Sequence, residues 1–147
     1  MRTRENLGFI GLIVIALASG LAVSGLLSTT RTLPSTGTIM AINVEVYWDG
    51  AGTQNVTSID WGIPAPGDVV NKTVYVKNTG NNPMNVSMSI SSWAPAGAST
   101  YLSVTWDQEG AVVAAGGTVQ AIISLGVSSG ITGITDFSFN IVIEGTG

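Results

Sequence analysis

The sequence contains no cysteine and no histidine. Without cysteine the chain forms no disulfide bonds, so a folded domain must be stabilised by its apolar core or by neighbouring subunits. The two absences also exclude thiol and imidazole nucleophiles, imidazole bases, and zinc sites built on these residues. Carboxylates, hydroxyl groups and lysines are what remains for chemistry. We therefore expect a protein that is not an enzyme and that holds no cofactor.

Charge is scarce as well. Charged residues make up 10% of the 147 residues, against about 25% in an average soluble domain. Beyond Arg31 the cations are Lys72 and Lys77, against eight acidic residues. A chain with so few cations offers no positive surface to a phosphate backbone. The composition therefore excludes nucleic acid as an expected partner.

An uncharged apolar run at residues 7–27 follows Arg2 and Arg4. This pattern is typical of a secretory signal peptide, and the run is also about as long as the roughly 20 residues that span a membrane as a helix. Two alternatives follow: residues 1–20 are cleaved as a signal peptide after Gly20, or the segment is retained as an anchor to about residue 27, oriented by the arginines. Both export the remaining chain. We expect an extracellular, cell-surface protein that contacts the membrane only through this segment, before or without cleavage.

Past Gly37 the apolar residues alternate with polar ones, which is the period of a β-strand. Turn-forming residues separate the alternating stretches. The pattern predicts an all-β fold: an immunoglobulin-like antiparallel β-sandwich of about seven strands over residues 38–147, preceded by an N-terminal apolar helix. The predicted strands are 42–48, 56–61, 70–76, 84–91, 102–106, 119–127 and 136–143.

Four acids lie near aromatic residues: Asp49, Asp60, Asp107 and Glu109. Paired carboxylates beside tryptophan suggest either glycoside cleavage or a calcium site. The sequence has no EF-hand-like cluster of acids, however, and each of the four lies close to a turn-forming glycine. We interpret them as turn residues, and we interpret Lys72 and Lys77 as residues that protect a sheet edge or add solubility.

The tryptophans, Trp48, Trp61, Trp93 and Trp106, have two interpretations. They fill the core or an interface, which is the commoner role, or they form an exposed platform for carbohydrate. The dipeptides Trp48-Asp49 and Trp106-Asp107 repeat one pattern, which we interpret as a tryptophan that closes the core beside an aspartate that caps a turn.

Three sequons occur in the exported part, at Asn55, Asn71 and Asn85, and none has proline in its middle position. Such sequons are acceptors for N-linked glycans. In a domain with few charges, glycans would supply solvation that lysine and glutamate do not. We expect N-glycosylation at these positions, in a host that carries it out.

Short motifs along the chain resemble those of a group of surface proteins. Residues 58–68 include Ser-Ile-Asp-Trp-Gly and Pro-Gly-Asp, and residues 72–81 read Lys-Thr-Val-Tyr-Val-Lys-Asn-Thr-Gly-Asn. With Thr-Leu-Pro-Ser-Thr-Gly-Thr-Ile at 32–39, they are similar to small exported archaeal β-sandwich proteins. The wider group contains the biofilm fibre protein TasA, camelysin, and the subunits of archaeal bundling pili and threads. The resemblance covers most of the chain.

This resemblance implies polymerisation by donor-strand complementation, in which each subunit gives its N-terminal strand to an identical neighbour. Residues 21–37 would then form the donor strand and its linker, with Leu21, Val23 and Leu27 as the side chains that enter the neighbour. Camelysin has been linked to metal-dependent proteolysis, but this chain lacks histidine and a His-Glu-x-x-His motif, so that activity is not carried over.

Three functions therefore compete. The leading hypothesis is a structural subunit of an extracellular filament or pilus-like fibre. The second is a monomeric, membrane-anchored surface module that binds glycans or coat proteins, and the third is a hydrolase that uses acid pairs. An uncleaved N-terminus would favour the second, and filaments that resist dissociation would favour the first.

Overall fold

The computed structural model describes residues 33–147. The predicted N-terminal apolar helix, with its alternatives of signal peptide and anchor, lies outside the described residues, and so do Leu21, Val23 and Leu27. Within residues 33–147, no helix has the length and apolar character needed to cross a membrane.

The described part is built from strands, which confirms the all-β prediction. Its one helical element is a short 3₁₀ helix at Ala96–Thr100. Along the chain, the nine strands of this part are β1 (Ser35–Ile42), β2 (Glu45–Tyr47), β3 (Ser58–Gly62), β4 (Val69–Lys77), β5 (Met84–Ala94), β6 (Leu102–Trp106), β7 (Val112–Val113), β8 (Thr118–Val127) and β9 (Phe137–Thr146).

The strands form two sheets, as a β-sandwich requires. One has five strands in the order β3-β1-β9-β5-β7, and the other has four in the order β2-β4-β8-β6. Inward side chains of both sheets meet in one hydrophobic core, which includes Ile59, Phe139 and Ile141 from the first sheet and Val74 and Ile123 from the second. Because successive side chains point to opposite faces of a strand, the alternating sequence fills this core from both sides.

One pair of strands departs from the predicted antiparallel arrangement. β1 runs parallel to β9, in register from Ser35 opposite Phe137 to Ile42 opposite Glu144. Apolar alternation shows which face of a strand is buried and carries no information on the direction of its neighbour. The other pairs of both sheets are antiparallel.

The predicted strand 42–48 is divided in the structure. Asn43 has a φ of 60°, in the left-handed region that asparagine enters more readily than most residues. β1 therefore ends at Ile42 in the five-stranded sheet, and β2 begins at Glu45 in the four-stranded sheet. Only Ile42 of β1 lies in the predicted strand, and β1 begins at Ser35, inside the predicted linker 21–37. β1 and the two-residue β7, which the pattern did not predict, account for nine strands where about seven were expected.

Candidate functional site

The five-stranded sheet has an edge that is covered over only part of its length. β7 pairs with β5 at Met84 and Asn85 alone, whereas β5 continues to Ala94. The next contact comes from the turn after β6: the N–H of Val86 donates to the carbonyl of Ala111 over 3.0 Å, and its carbonyl accepts from Gly110 N–H over 2.9 Å. Beyond Val86, no backbone group of residues 33–147 continues this ladder.

Backbone groups alternate in direction along an antiparallel strand, so those of Met88 and Ile90 face the same side as those of Val86. On the opposite side β5 pairs with β9 from Asn85 to Ser91 without interruption. We call residues 88–91 the open edge of β5, because Ser92 has a φ of 57° and interrupts the extended backbone. Within residues 33–147 no strand pairs with its outward peptide groups, which is the geometry that accepts an added strand.

The core is also less well covered beside this edge. Val86 is buried, whereas the next two inward side chains, Met88 and Ile90, are half-buried. Across the sandwich, Val104 and Trp106 of β6 are half-buried too, and β6 is the outer strand of its sheet. Both sheets thus end here with apolar side chains that remain partly in contact with water.

Glu109 connects the two sheets at this place. Its Oε2 atom accepts a hydrogen bond from the indole Nε1–H of Trp106 over 2.6 Å and another from the backbone N–H of Met88 over 3.0 Å. Trp106 ends β6 and Met88 lies in β5. We call this pair of hydrogen bonds the Glu109 bridge. Glu109 lies in the predicted turn, where the N–H of Ala111 donates to the carbonyl of Gln108 over 3.1 Å. Its carboxylate, however, binds a neighbouring strand and the Trp106 indole.

Asp107 differs from the prediction in a similar way. Its Oδ1 atom accepts a hydrogen bond from the backbone N–H of Ile122 over 2.8 Å, and Ile122 belongs to β8. The carboxylate therefore extends the pairing between β6 and β8 by one step. It lies on the opposite side of β6 from the open edge of β5, because β8 is the neighbour of β6 within its own sheet.

Asp49 has the predicted turn role, whereas Asp60 lies in β3 and its carboxylate bonds to the last residue of the same strand. The Asp49 carboxylate accepts hydrogen bonds from the backbone N–H groups of Thr53 and Gln54, each over 2.9 Å, and from the Thr53 hydroxyl over 2.7 Å. The Thr53 hydroxyl and these backbone donors lower the pKa of Asp49 below its ordinary value. Asp60 accepts from the N–H of Gly62 over 2.8 Å.

The lysines lie on β4, which β2 covers only in part. β2 pairs with Tyr75, Val76 and Lys77, and Glu45 is opposite Lys77. Lys72 lies in the uncovered stretch of β4 and is half-buried. An inward-pointing charge on an uncovered strand disfavours pairing with another chain. The position of Lys72 therefore fits the predicted edge protection.

The tryptophans occupy four different environments. Trp61 is buried, Trp93 packs against Phe139 with ring centroids 4.7 Å apart, and Trp106 is half-buried. Trp48 is 37% exposed, so the interpretation that Trp48 closes the core was wrong. Trp48 follows β2 and Trp106 ends β6, at opposite edges of the four-stranded sheet, so the four rings do not form one platform.

The sequon residues Asn55, Asn71 and Asn85 are all exposed. Asn71 accepts a hydrogen bond through Oδ1 from the Ser124 hydroxyl over 2.7 Å. Exposure is what a glycosylated asparagine requires, and glycosylation itself stays a prediction.

No metal cluster marks another site in the described part. Residues 33–147 contain no group of three or more acids placed to hold a metal ion. A depression of about 580 Å³ lies between Pro34, Pro95, Ile134 and Phe137, and it is open to solvent. The acid that lines it is Asp136.

No protein-family model matches this chain, and no curated protein matches it.

Proposed function

We propose that this chain is a structural subunit of an extracellular filament and that identical subunits join by donor-strand complementation. The observation that carries the proposal is the open edge of β5, which has no partner strand and lies beside half-buried Met88 and Ile90. An added strand gains backbone hydrogen bonds from the edge and specificity from alternate side chains. We further propose that the sandwich is immunoglobulin-like and that the chain belongs with the TasA-like exported proteins that its motifs resemble.

The proposed donor is the segment 21–29 of a second copy. It carries no charge, and in an extended strand Leu21, Val23 and Leu27 share one side. Residues 1–32 precede the described part, which leaves enough chain for a donor strand and a linker. Ordering a free strand costs about 1–2 kcal/mol per residue. Whether the strand binds therefore depends on the free energy gained by burying these three apolar side chains.

The exposed sequons support a surface protein whose faces are solvated by glycans. We propose N-linked glycans at Asn55, Asn71 and Asn85. The mass of the intact native protein should then exceed the sequence mass by glycan-sized steps.

The test of the filament is a double substitution with a matched control. Val23→Asp with Leu27→Asp introduces charge on the side that would enter the neighbour, and we expect it to abolish filaments. Ser24→Asp with Ser28→Asp introduces the same charge on the other side and should leave filaments intact. Electron microscopy of the exported protein gives the readout, and mass spectrometry of the mature N-terminus shows whether residues 21–29 remain.

Three results would contradict the proposal. Normal filaments from the Val23→Asp, Leu27→Asp variant would exclude this segment as the donor. A mature N-terminus beyond Leu27 would exclude it as well. A wild-type protein that stays monomeric and attached to the membrane would favour the anchored surface module.

A further inference from the structure

We propose that Glu109 occupies the acceptor edge of β5 before assembly, and that an incoming strand must displace its carboxylate from Met88. This inference rests on the proposed function, because it specifies how the same edge becomes free. The expected occupant is the segment 21–29 of a second copy.

The hydrogen bonds along the outer side of β5 show what Glu109 replaces. Val86 bonds to the backbone of Ala111 and Gly110. Two residues further on, the N–H of Met88 bonds to the Glu109 carboxylate, and Ile90 follows at the open edge. In an antiparallel ladder the N–H of Met88 would bond to the carbonyl of a neighbouring strand. The carboxylate oxygen therefore takes the place of that carbonyl, and the two cannot bind Met88 together.

The second half of the Glu109 bridge reaches the other sheet. The same Oε2 atom holds the indole of Trp106 at the outer strand β6, so the Trp106 ring and the Met88 backbone lie close together. A strand that displaces the carboxylate also releases the indole. The half-buried Met88 and Val104 would then be free to pack against the apolar side chains of the added strand.

The chemistry of the bridge suits a displaceable contact. Hydrogen bonds to a carboxylate are about twice as strong as those between neutral groups, so the bridge protects the edge against weak, non-specific pairing. Glu109 is exposed, and its displaced carboxylate is therefore hydrated at once. An incoming strand with an acidic residue near Met88 would meet like charge, whereas residues 21–29 carry none.

The experiment compares Glu109→Ala and Glu109→Gln with Asp107→Asn in the full chain after export. Asp107→Asn is a matched control, because it changes another carboxylate that accepts a backbone N–H, but one that lies away from β5. A synthetic peptide of residues 21–29 serves as the probe. Its affinity for monomeric protein is measured by titration, filament growth by light scattering, and protection of the Met88 amide by hydrogen exchange.

We expect Glu109→Ala to bind the peptide several-fold more tightly than wild type, to form filaments with a shorter lag, and to lose protection at Met88. Glu109→Gln keeps the shape of the side chain, which guards against misfolding, and it should show an intermediate effect. Asp107→Asn should match wild type in peptide affinity and lag.

The outcomes separate this inference from the filament proposal. Equal peptide affinity in wild type and Glu109→Ala, with the Met88 amide released in the variant, overturns the role of Glu109 and leaves the filament intact. Tighter peptide binding by Glu109→Ala in a protein that never forms filaments supports the role of Glu109 and overturns the filament. Absence of peptide binding in every variant overturns both.

Discussion

Gly37 on β1 makes room for the indole of Trp61 on β3. A Cβ atom at position 37 would lie 2.9 Å from Trp61 Nε1, which is closer than side chains tolerate. Trp61 is 2% exposed, and its N–H has no hydrogen-bond partner among the described residues. An unsatisfied buried donor costs about 1–3 kcal/mol. The indole therefore keeps this position through its packing, and Gly37 is what allows the packing.

Gly37→Ala should lower the free energy of unfolding by about 1–3 kcal/mol, the usual cost of overpacking a core. The added methyl group must displace either a buried, rigid indole or the backbone of β1. Chemical denaturation followed by tryptophan fluorescence measures the change.

Gly97→Ala is the matched control for this substitution. A Cβ atom at Gly97 would meet no atom within 4 Å, so the same change there should alter stability by no more than about 0.5 kcal/mol. Equal stabilities of the Gly37→Ala and Gly97→Ala variants would contradict the close fit between Gly37 and Trp61.

Asp49 should contribute to the pH dependence of stability. Its pKa is lower in the folded protein because the Thr53 hydroxyl and nearby backbone N–H groups favour the carboxylate. The resulting stabilisation is present above the pKa of the unfolded chain and is lost as pH falls through the lower folded value. Asp49→Asn should therefore reduce stability near neutral pH and flatten the acid limb of the stability curve.

Thermal unfolding across the acidic range measures this effect. Asp136→Asn, which changes an exposed acid, is the control. Its stability should fall at acidic pH as steeply as that of wild type. The assigned role of Asp49 would be wrong if its substitution left the acid limb as steep as in wild type.

The sequence predicts which face of a strand is buried better than it predicts which strands pair with each other. Alternation puts Val44 and Val46 on one side of the chain with Ile42 and Trp48. Val44 and Val46 are buried, whereas Ile42 and Trp48 are exposed. The break between β1 and β2 at Asn43 was not predicted, because the alternation continues through it. One residue with a positive φ changes the path of the backbone without changing the pattern of side chains. The parallel pairing of β1 with β9 was missed for a related reason, since strand direction leaves no mark on periodicity.

The candidate site depends on contacts between residues that are distant in sequence. Glu109 bonds to Met88, which lies 21 residues away, and no local pattern distinguishes this acid from one that caps its own turn. The two-residue β7 was too short to be predicted, yet its length is what leaves the open edge of β5. Only the pairing of the strands shows where a sheet ends.

The open edge of β5 leads to a prediction about one peptide group, the N–H of Ile90. The N–H of Ile90 faces away from β9, since Ile90 has the same parity along β5 as Val86 and Met88. Proline is tolerated on an edge strand where the N–H that it lacks would face solvent. Ile90→Pro should therefore keep the fold while it removes a donor that an added strand needs.

Ile90→Ala is the control, because it also loses the half-buried side chain but keeps the N–H. Both variants should be less stable than wild type by about 1–2 kcal/mol, less than for a fully buried residue. Only Ile90→Pro should fail to form filaments and to bind a peptide of residues 21–29, as measured by electron microscopy and titration. If Ile90→Pro forms filaments as readily as Ile90→Ala, the added strand does not pair with this edge, and the acceptor must lie elsewhere on the sandwich.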